Sequence, residues 1–340
     1  MVPSLGIVII NWNGLADTRA CLLSLSAGGL PAGTEVVVVD NGSSDGSVAA
    51  LRREFAWVTV LDLGRNAGFA GGNNAGIRHL LERGAQYILL LNNDTLVDPG
   101  MIVAFQRAAA EHPDIAAFGG KIYCMDVRDV LWFAGGNNVP GSPAGPTHRG
   151  ECEPDRGQYD QPWECSFLTG CLVFARAAAF QTAGLLDEEL FFLWEDVDWC
   201  VRCTRAGLRL MYVPTARIWH KGSASTGGKA APVLQYYYER NRLYLIRRFC
   251  RPQLARDLVR RLTVLARDIV GAAVRALLRR PQALGPWPAL WRRWCARFLG
   301  IADFARGRGG PVPQAYGRLL SVRRQRPSAQ PAACGSPPRP

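Results

Sequence analysis

Residues 87–95 read YILLLNNDT: five apolar or aromatic side chains, then two amides, a carboxylate and a hydroxyl. A short continuous apolar run bounded by polar residues fits a strand buried on both faces, as in a parallel sheet covered by helices. Asp94 falls just past that run. An unpaired charge beside buried apolar residues is normally excluded, so the position calls for a ligand or a local hydrogen-bonding role.

The same alternation extends upstream. Ile7–Asn11 is a β-branched run, followed by a helix with apolar residues near Ala20, Leu23 and Leu25. EVVVVD at Glu35–Asp40 reads as a second strand, closed by the turn-rich NGSSDGS. A helix over Val48–Phe55 and a strand over Val58–Leu63 follow, and GRNAGFAGGNNAG, residues 64–76, leads into a helix from Ile77 to Arg83. Repeated β-loop-α units predict an α/β fold with a mostly parallel, Rossmann-like central sheet and helices on both faces. Ligands of such sheets bind beyond the carboxyl ends of the strands. Asp40 and Asp94 both stand at such ends.

These ends carry candidate chemistry. A carboxylate at Asp40 can accept hydrogen bonds from a base or ribose, and Gly42 and Gly46 permit tight turning. Asp45 either joins it or caps the next helix. Residues 64–76 lack the Gly-Lys-Ser/Thr of a Walker loop and follow the third strand, which argues against a dinucleotide fingerprint. Their glycines still let backbone N–H groups approach a ligand, the next helix N-terminus favours an anion, and Arg65 adds charge near a diphosphate. Oxygen ligands such as Asp94 suit Mg2+ or Mn2+, with a nucleotide diphosphate supplying most other ligands. Such an ion would neutralise charge on a departing diphosphate. A turn or capping Asp is the plainer alternative.

Downstream, Gly135–Cys165 is rich in Gly, Pro and polar residues and reads as a long surface loop. FLTGCLVFAR resumes a buried strand, and a helix from Asp196 to Ala206 ends at Gly207. WEDVDWC places Glu195, Asp196 and Asp198 within four positions. A base that deprotonates a sugar hydroxyl must be an unpaired carboxylate near the acceptor, and Asp196 is the choice; helix capping accounts for one of the three acids at most. His220 follows a strand-like ARIW, where a neutral imidazole can complete a metal site, although a lone His is more often structural. GSASTGGKAAP, residues 222–232, reads as a linker or a lid. Cys200 and Cys203 lack a second pair for zinc and read as core.

At 340 residues the chain can bury a large core. The opening MVPSLGIVIINWNG lacks a basic n-region, so no signal peptide is expected, and no uncharged run reaches the roughly 18 residues of a spanning helix. The ten cysteines are scattered, which points to a reducing cytoplasm. Charge is divided: residues 1–230 hold 18 Lys and Arg against 24 Asp and Glu, whereas residues 231–340 hold 22 against 4. A polyanionic partner is expected for the basic third, either a membrane surface or nucleic acid. Leu258, Leu262, Leu265 and Ile269 share one helical face; Trp287, Trp291, Trp294 and Phe298 share another, with Arg292, Arg293 and Arg297 interleaved. Tryptophans beside arginines suit a headgroup boundary; packing on the body is the alternative. No nucleic-acid motif is found, so a nucleic-acid partner is not expected.

Together, VIINWNG, VVVVDNGSSDGS, GRNAGFAGGNNAGI, LLLNNDT, TGCLVFAR, DEELFFLWEDVDWCVRCTRAGLRLMYVPTARIWHKGSAS and YYYERNRLYLIRR resemble the family 2 glycosyltransferases. The similarity is to the rhamnosyltransferase-like and galactofuranosyltransferase-like branch and spans Ile7 to Arg248. By composition and helical pattern, residues 233–305 read as a basic amphipathic helical region, a candidate for docking on an anionic membrane, and 306–340 as a disordered tail; the resemblance implies a GT-A domain over 1–232. It further implies inverting sugar transfer from a nucleotide-diphosphate sugar, dTDP-rhamnose first, to a cell-surface polysaccharide or lipid-linked glycan on the inner face of the cytoplasmic membrane. By this resemblance Asp196 is the base, Asp94 and His220 hold the metal, and Asn11, Asp40, Asn41, Ser43, Asp45, Arg65, Asn66, Gly68, Asn73, Asn93 and Glu195 line the nucleotide-sugar site. Asn92 stands where the first acid of the D-x-D pattern would be, so one carboxylate ligand is missing. A nucleic-acid binder using the basic tail and an inactive assembly partner are the competing expectations.

Overall fold

Strand β1 (Leu5–Asn11) is the seed of the sheet, because Ile7, Val8 and Ile9 are wholly enclosed and β-branched. It lies between β2 (Thr34–Asp40) and β4 (Tyr87–Asn92), parallel to both. β3 (Val58–Asp62) extends the parallel set beyond β2. On the other side of β4 the sheet turns mixed. β11 (Leu172–Arg176) runs antiparallel between β4 and β6 (Ile115–Cys124), and β12 (Arg209–His220) runs parallel to β6. β10 (Trp163–Cys165) closes that edge. The computed structural model describes residues 5–138, 145–222, 231–277 and 287–320. The expected mostly parallel α/β architecture is present, followed by a helical C-terminal region.

Two short strands shape the rim. β5 (Thr95–Val97) doubles back from β4 and pairs antiparallel with the end of β12, setting Thr95 opposite His220. β7 (Leu131–Phe133) pairs with the end of β6. The segment read as a surface loop thus contains ordered pieces. β8 (Gly136–Asn137) pairs with β9 (Thr147–His148), and β10 joins the main sheet. Strands of two or three residues are too short to show a period, and the Gly and Pro content masked them. Most of the candidate lid, 223–230, lies outside the described residues.

Two helices differ from the sequence expectation. In α1 (Leu15–Ala27) the core side chains are Thr18, Cys21, Leu22 and Leu25, while Ala20 is exposed and Leu23 faces solvent. α3 (Gly68–Glu82) starts nine residues before the expected Ile77. Its glycines, expected to let backbone N–H groups approach a ligand, are a packing face against the sheet. A Cβ at Gly76 would lie 2.5 Å from Val8 Cγ1, and one at Gly72 would lie 3.2 Å from Ile10 Cδ1. Only glycine lets this helix sit so low on the sheet. α2 (Ser47–Glu54), α4 (Met101–Glu111) and α5 (Ala177–Ala183) complete the cover. α6 (Glu195–Arg205) begins at the acidic triplet. Cys200 and Cys203 are buried on it, as expected.

Beyond β12 comes α7 (Pro232–Phe249). This helix braces the body. Phe191, Leu193 and Trp194 have φ of 63°, 67° and 77°, a left-handed conformation that costs bulky side chains about 1–3 kcal/mol each. Buried Asn241 holds them: its Nδ2 lies 2.8, 2.9 and 2.8 Å from the carbonyls of Leu190, Phe192 and Leu193. Arg240 donates to the Glu189 and Leu190 carbonyls at 3.2 and 2.9 Å. From the other side, the Phe69 N–H donates to the Phe191 carbonyl at 2.7 Å. A Cβ at Gly68 would approach that carbonyl to 2.3 Å.

α8 (Leu254–Leu277) and α9 (Trp287–Ala305) follow. Their expected apolar faces are divided. Leu265 and Trp294 pack together with Leu290, while Trp291 and Phe298 stay exposed. Disorder was expected from 306, yet 306–320 fold back. Val312, Tyr316 and Leu320 pack on Tyr236 and Tyr237, the last residues through α10 (Gly317–Leu320). Two tyrosines on α7 supply an apolar seat that composition could not reveal. No helix among the described residues is long and apolar enough to cross a membrane.

Asn241→Ala should strand buried carbonyls and release the strained loop. A loss of roughly 3 kcal/mol in denaturant unfolding is expected; a loss below about 1 kcal/mol would show that the loop is held by other contacts.

Candidate active site

The β5–β12 ladder brings His220 Nε2 to 3.1 Å from Asp94 Oδ1, with both side chains largely buried. Asn92 Nδ2 lies 3.4 Å from the same nitrogen. Burial opposes charge on Asp94, but His220 and, more weakly, Lys221 bring its carboxyl below the ordinary value. Burial likewise opposes charge on His220. Cys171 and Asp94 outweigh it and hold the imidazole well above its usual range. Among the described residues no three His, Cys, Asp or Glu side chains converge as a metal cage. One carboxylate and one imidazole side by side do fit as two ligands of a hard or borderline divalent ion, with the rest supplied by substrate oxygens.

Asp196 reaches the same rim by a short backbone path. The Asn92 N–H donates to the Cys171 carbonyl at 3.1 Å, and the adjoining Gly170 N–H donates to Asp196 Oδ2 at 3.0 Å. The Val197 N–H donates to Oδ1 at 2.8 Å. Cys171 lies within electrostatic reach of His220, Asp94 and Asp196 alike. Burial pushes the Asp196 carboxyl above the ordinary range, against the pull of the Gly170 and Val197 amides and of His148. Glu195 is more deeply enclosed. Burial, then Asp196, raises it well above normal, and its Oε2 has no hydrogen-bond partner. Asp198 is different: it pairs with Arg202 at 2.7 Å and Arg248 at 2.8 Å and anchors α6 to α7. Of the three acids, Asp196 is the one that is half-exposed at the rim.

Two residues in this neighbourhood were not anticipated. The Trp132 ring stands edge-on to His220, with centroids 4.8 Å apart, and edge-on to His148 at 5.4 Å. His148 also contacts Phe133 and Phe167. An aromatic bridge therefore links the Asp94–His220 pair to the surroundings of Asp196. Both residues lie on strands of two or three residues, where no local pattern distinguishes them.

Apart from Glu195, which lies enclosed beside Asp196, the expected nucleotide-sugar residues gather near the ends of β1 and β2. Asp40 is fully buried and accepts from Asn11 Nδ2 at 2.7 Å and the Ser43 N–H at 2.8 Å. Asn11 also accepts from Thr18, which in turn accepts from Asn93 Nδ2 at 2.9 Å. Asn41 accepts from the Ala67 N–H at 2.8 Å and donates to Asn66 and to the Gly68 carbonyl. Asn73 is buried and donates to the Phe69 carbonyl. These amides and Asp40 build the rim internally. Ser44, Asp45, Arg65 and Asn66 are exposed there. Asp45 accepts from the Ser47 N–H at 3.1 Å, at the start of α2.

The GT-A glycosyltransferases share the fold: GalNAc-T7 with UDP, GalNAc and Mn2+ superimposes with a TM-score of 0.53 at 15% identity, over 64% of this chain and 44% of that one. The mannosyltransferase PcManGT of Pyrobaculum calidifontis, in complex with GDP-Man and Mn2+, gives 0.51 at 15% identity over 89% and 87%. In sequence the chain is 28% identical to an N-acetylglucosaminyl-diphospho-decaprenol L-rhamnosyltransferase of Mycobacterium tuberculosis, over 62% of this chain and 74% of the relative. It is 27% identical to the dTDP-rhamnosyl transferase RfbF of Shigella flexneri, over 63% and 71%. The glycosyl transferase family 2 domain matches residues 6–184, more than half of the chain, and the protein therefore belongs to glycosyl transferase family 2.

Proposed function

We propose that this glycosyltransferase moves a sugar, rhamnose from dTDP-rhamnose first, to a hydroxyl of a lipid-linked glycan or cell-surface polysaccharide precursor, with inversion at the anomeric carbon. The observation that carries the reading is the shared rim: Asp94 and His220 in contact, and Asp196 on the amide of Gly170, beside Cys171. The named activities of the bacterial relatives support the donor and the acceptor class. An acceptor of that kind would place the protein in the cytoplasm, at the inner face of the membrane.

Asp94 and His220 are the residues that would hold Mg2+ or Mn2+. Such an ion, when bound, neutralises charge on the departing diphosphate. The protein's own contribution is positional and basic. Asp196 takes the proton of the acceptor hydroxyl, which attacks the anomeric carbon from the face opposite the diphosphate. Its two amide donors fix the carboxylate, and partial desolvation makes it more basic than a free Asp. The Cys171 thiol beside this rim is ill suited to be a covalent nucleophile, because it is buried and its pKa is raised by burial.

Asp196→Asn should lower kcat by about 10²–10⁴ with donor affinity retained in calorimetry; near-normal turnover would remove Asp196 as the base. The base must be ionised, and its carboxyl lies above the ordinary 3.8. Transfer should therefore fall as pH drops through that raised value. His148→Gln removes a nearby source of positive charge and should move the acid limb higher still. Asp94→Asn and His220→Ala should each abolish Mn2+-dependent thermal stabilisation by dTDP-sugar. Retained metal-dependent stabilisation in both variants would place the ion elsewhere.

A further inference from the structure

We infer that α8 and α9 form a docking surface for an anionic lipid bilayer. The first observation is where the acids of this region go. Residues 231–340 contain four acids, Glu239, Asp257, Asp268 and Asp303. Every one is paired with arginine, and only Asp268, with 40% of its side chain exposed, keeps contact with solvent. Glu239 pairs with Arg261 and Arg297, Asp257 with Arg242, Asp268 with Arg297, and Asp303 with Arg306 and Arg308. Glu239, Asp257 and Asp303 are almost wholly buried. Arg256, Arg260 and Arg267 are exposed on α8, and none of them has a carboxylate partner among the described residues. The region thus presents a positive face with almost no exposed acid to offset it, a charge complement for clustered phosphates.

The second observation is apolar. Val259, Leu262, Ile269, Val270 and Val274 on α8 are 38–65% exposed, and Trp291 and Phe298 on α9 are 53% and 57% exposed. These seven are more than half of the twelve exposed large hydrophobics among the described residues. At 3.6 residues per turn the five on α8 form one stripe, about 22 Å long from Val259 to Val274. The Arg256, Arg260 and Arg267 row runs along one flank of it. The opposite side of α8 is occupied, with Leu265 on Trp294, Asp257 on Arg242 and Arg261 on Glu239.

An apolar stripe edged by arginines on a helix lying flat is the pattern of an interfacial helix, with the stripe at the acyl boundary and guanidinium groups on headgroup phosphates. Each arginine near an anionic leaflet is worth about fivefold in binding. A nucleic acid would engage the arginines but leave the stripe in water, and a second copy would bring two positive faces together. The surface takes its purpose from the lipid-linked acceptor proposed above, but its test needs neither donor nor acceptor.

The full chain should co-sediment with phosphatidylglycerol–phosphatidylcholine vesicles and stay in solution with phosphatidylcholine alone. Raised salt should weaken the binding. Leu262→Asp combined with Val270→Asp, and separately Arg260→Glu combined with Arg267→Glu, should each reduce vesicle binding at least about tenfold while circular dichroism and Tm stay unchanged. The inference is overturned if anionic vesicles fail to pellet the protein, if the double variants bind as well as the parent, or if the same substitutions abolish instead a DNA or RNA mobility shift or a concentration-dependent dimer. Loss of sugar transfer with vesicle binding intact would count against the proposed reaction and leave the docking surface standing.

Discussion

The three-residue ladder between β5 and the end of β12 is the contact on which the site depends. Without it Asp94 would be a solvated carboxylate after a strand, and His220 a lone imidazole 126 residues later in the chain. The pairing of Thr95 with His220 sets the two side chains together in a half-buried place, where their interaction is stronger than in water. It also closes the rim on one side. A slip of one residue in this register would turn His220 to the opposite face of the sheet.

A second constraint acts on the opposite bank. The chain enters α6 through three bulky residues in left-handed conformation, a geometry that it would not hold by itself. Asn241 and Arg240 on α7, and the first turn of α3, pin the carbonyls of that loop. Asp196 follows directly, so its direction is set by elements from three distant parts of the sequence. This gives α7 a structural duty inside the transferase body and ties the helical region to the rim that carries Asp196. The residues after it turn outward, with their acids satisfied internally and their arginines left over.

Much of the fold was legible in the residues. Buried strands announce themselves when β-branched and aliphatic runs such as EVVVVD and YILLLNND are cut off by turns, since the hydrophobic effect and strand sterics act locally. α3 was half legible. Its glycines look like a breaker from sequence, and only the closeness of Val8 and Ile10 shows that they are a packing surface. Trp132 and His148 were not legible at all, because a two- or three-residue strand carries no periodicity. The amphipathic faces of α8 and α9 were visible as patterns. Which of their side chains would be spent on each other, Leu265 on Trp294, depended on how the helices cross.

The sequence by itself determined the α/β alternation, the stations Asp94, Asp196 and His220, and the split between an acidic body and a basic C-terminal third. Those follow from local pattern and from counting charges, which need no coordinates. The tertiary structure alone decided that Asp94 and His220 meet, that Glu195 is enclosed while Asp196 stands at the rim, that Asp198 is an anchor, and that the acids of the last helices are paired with arginines. Those depend on register, burial and partner choice, and they are properties of residues far apart in the chain that come into contact only in the folded protein.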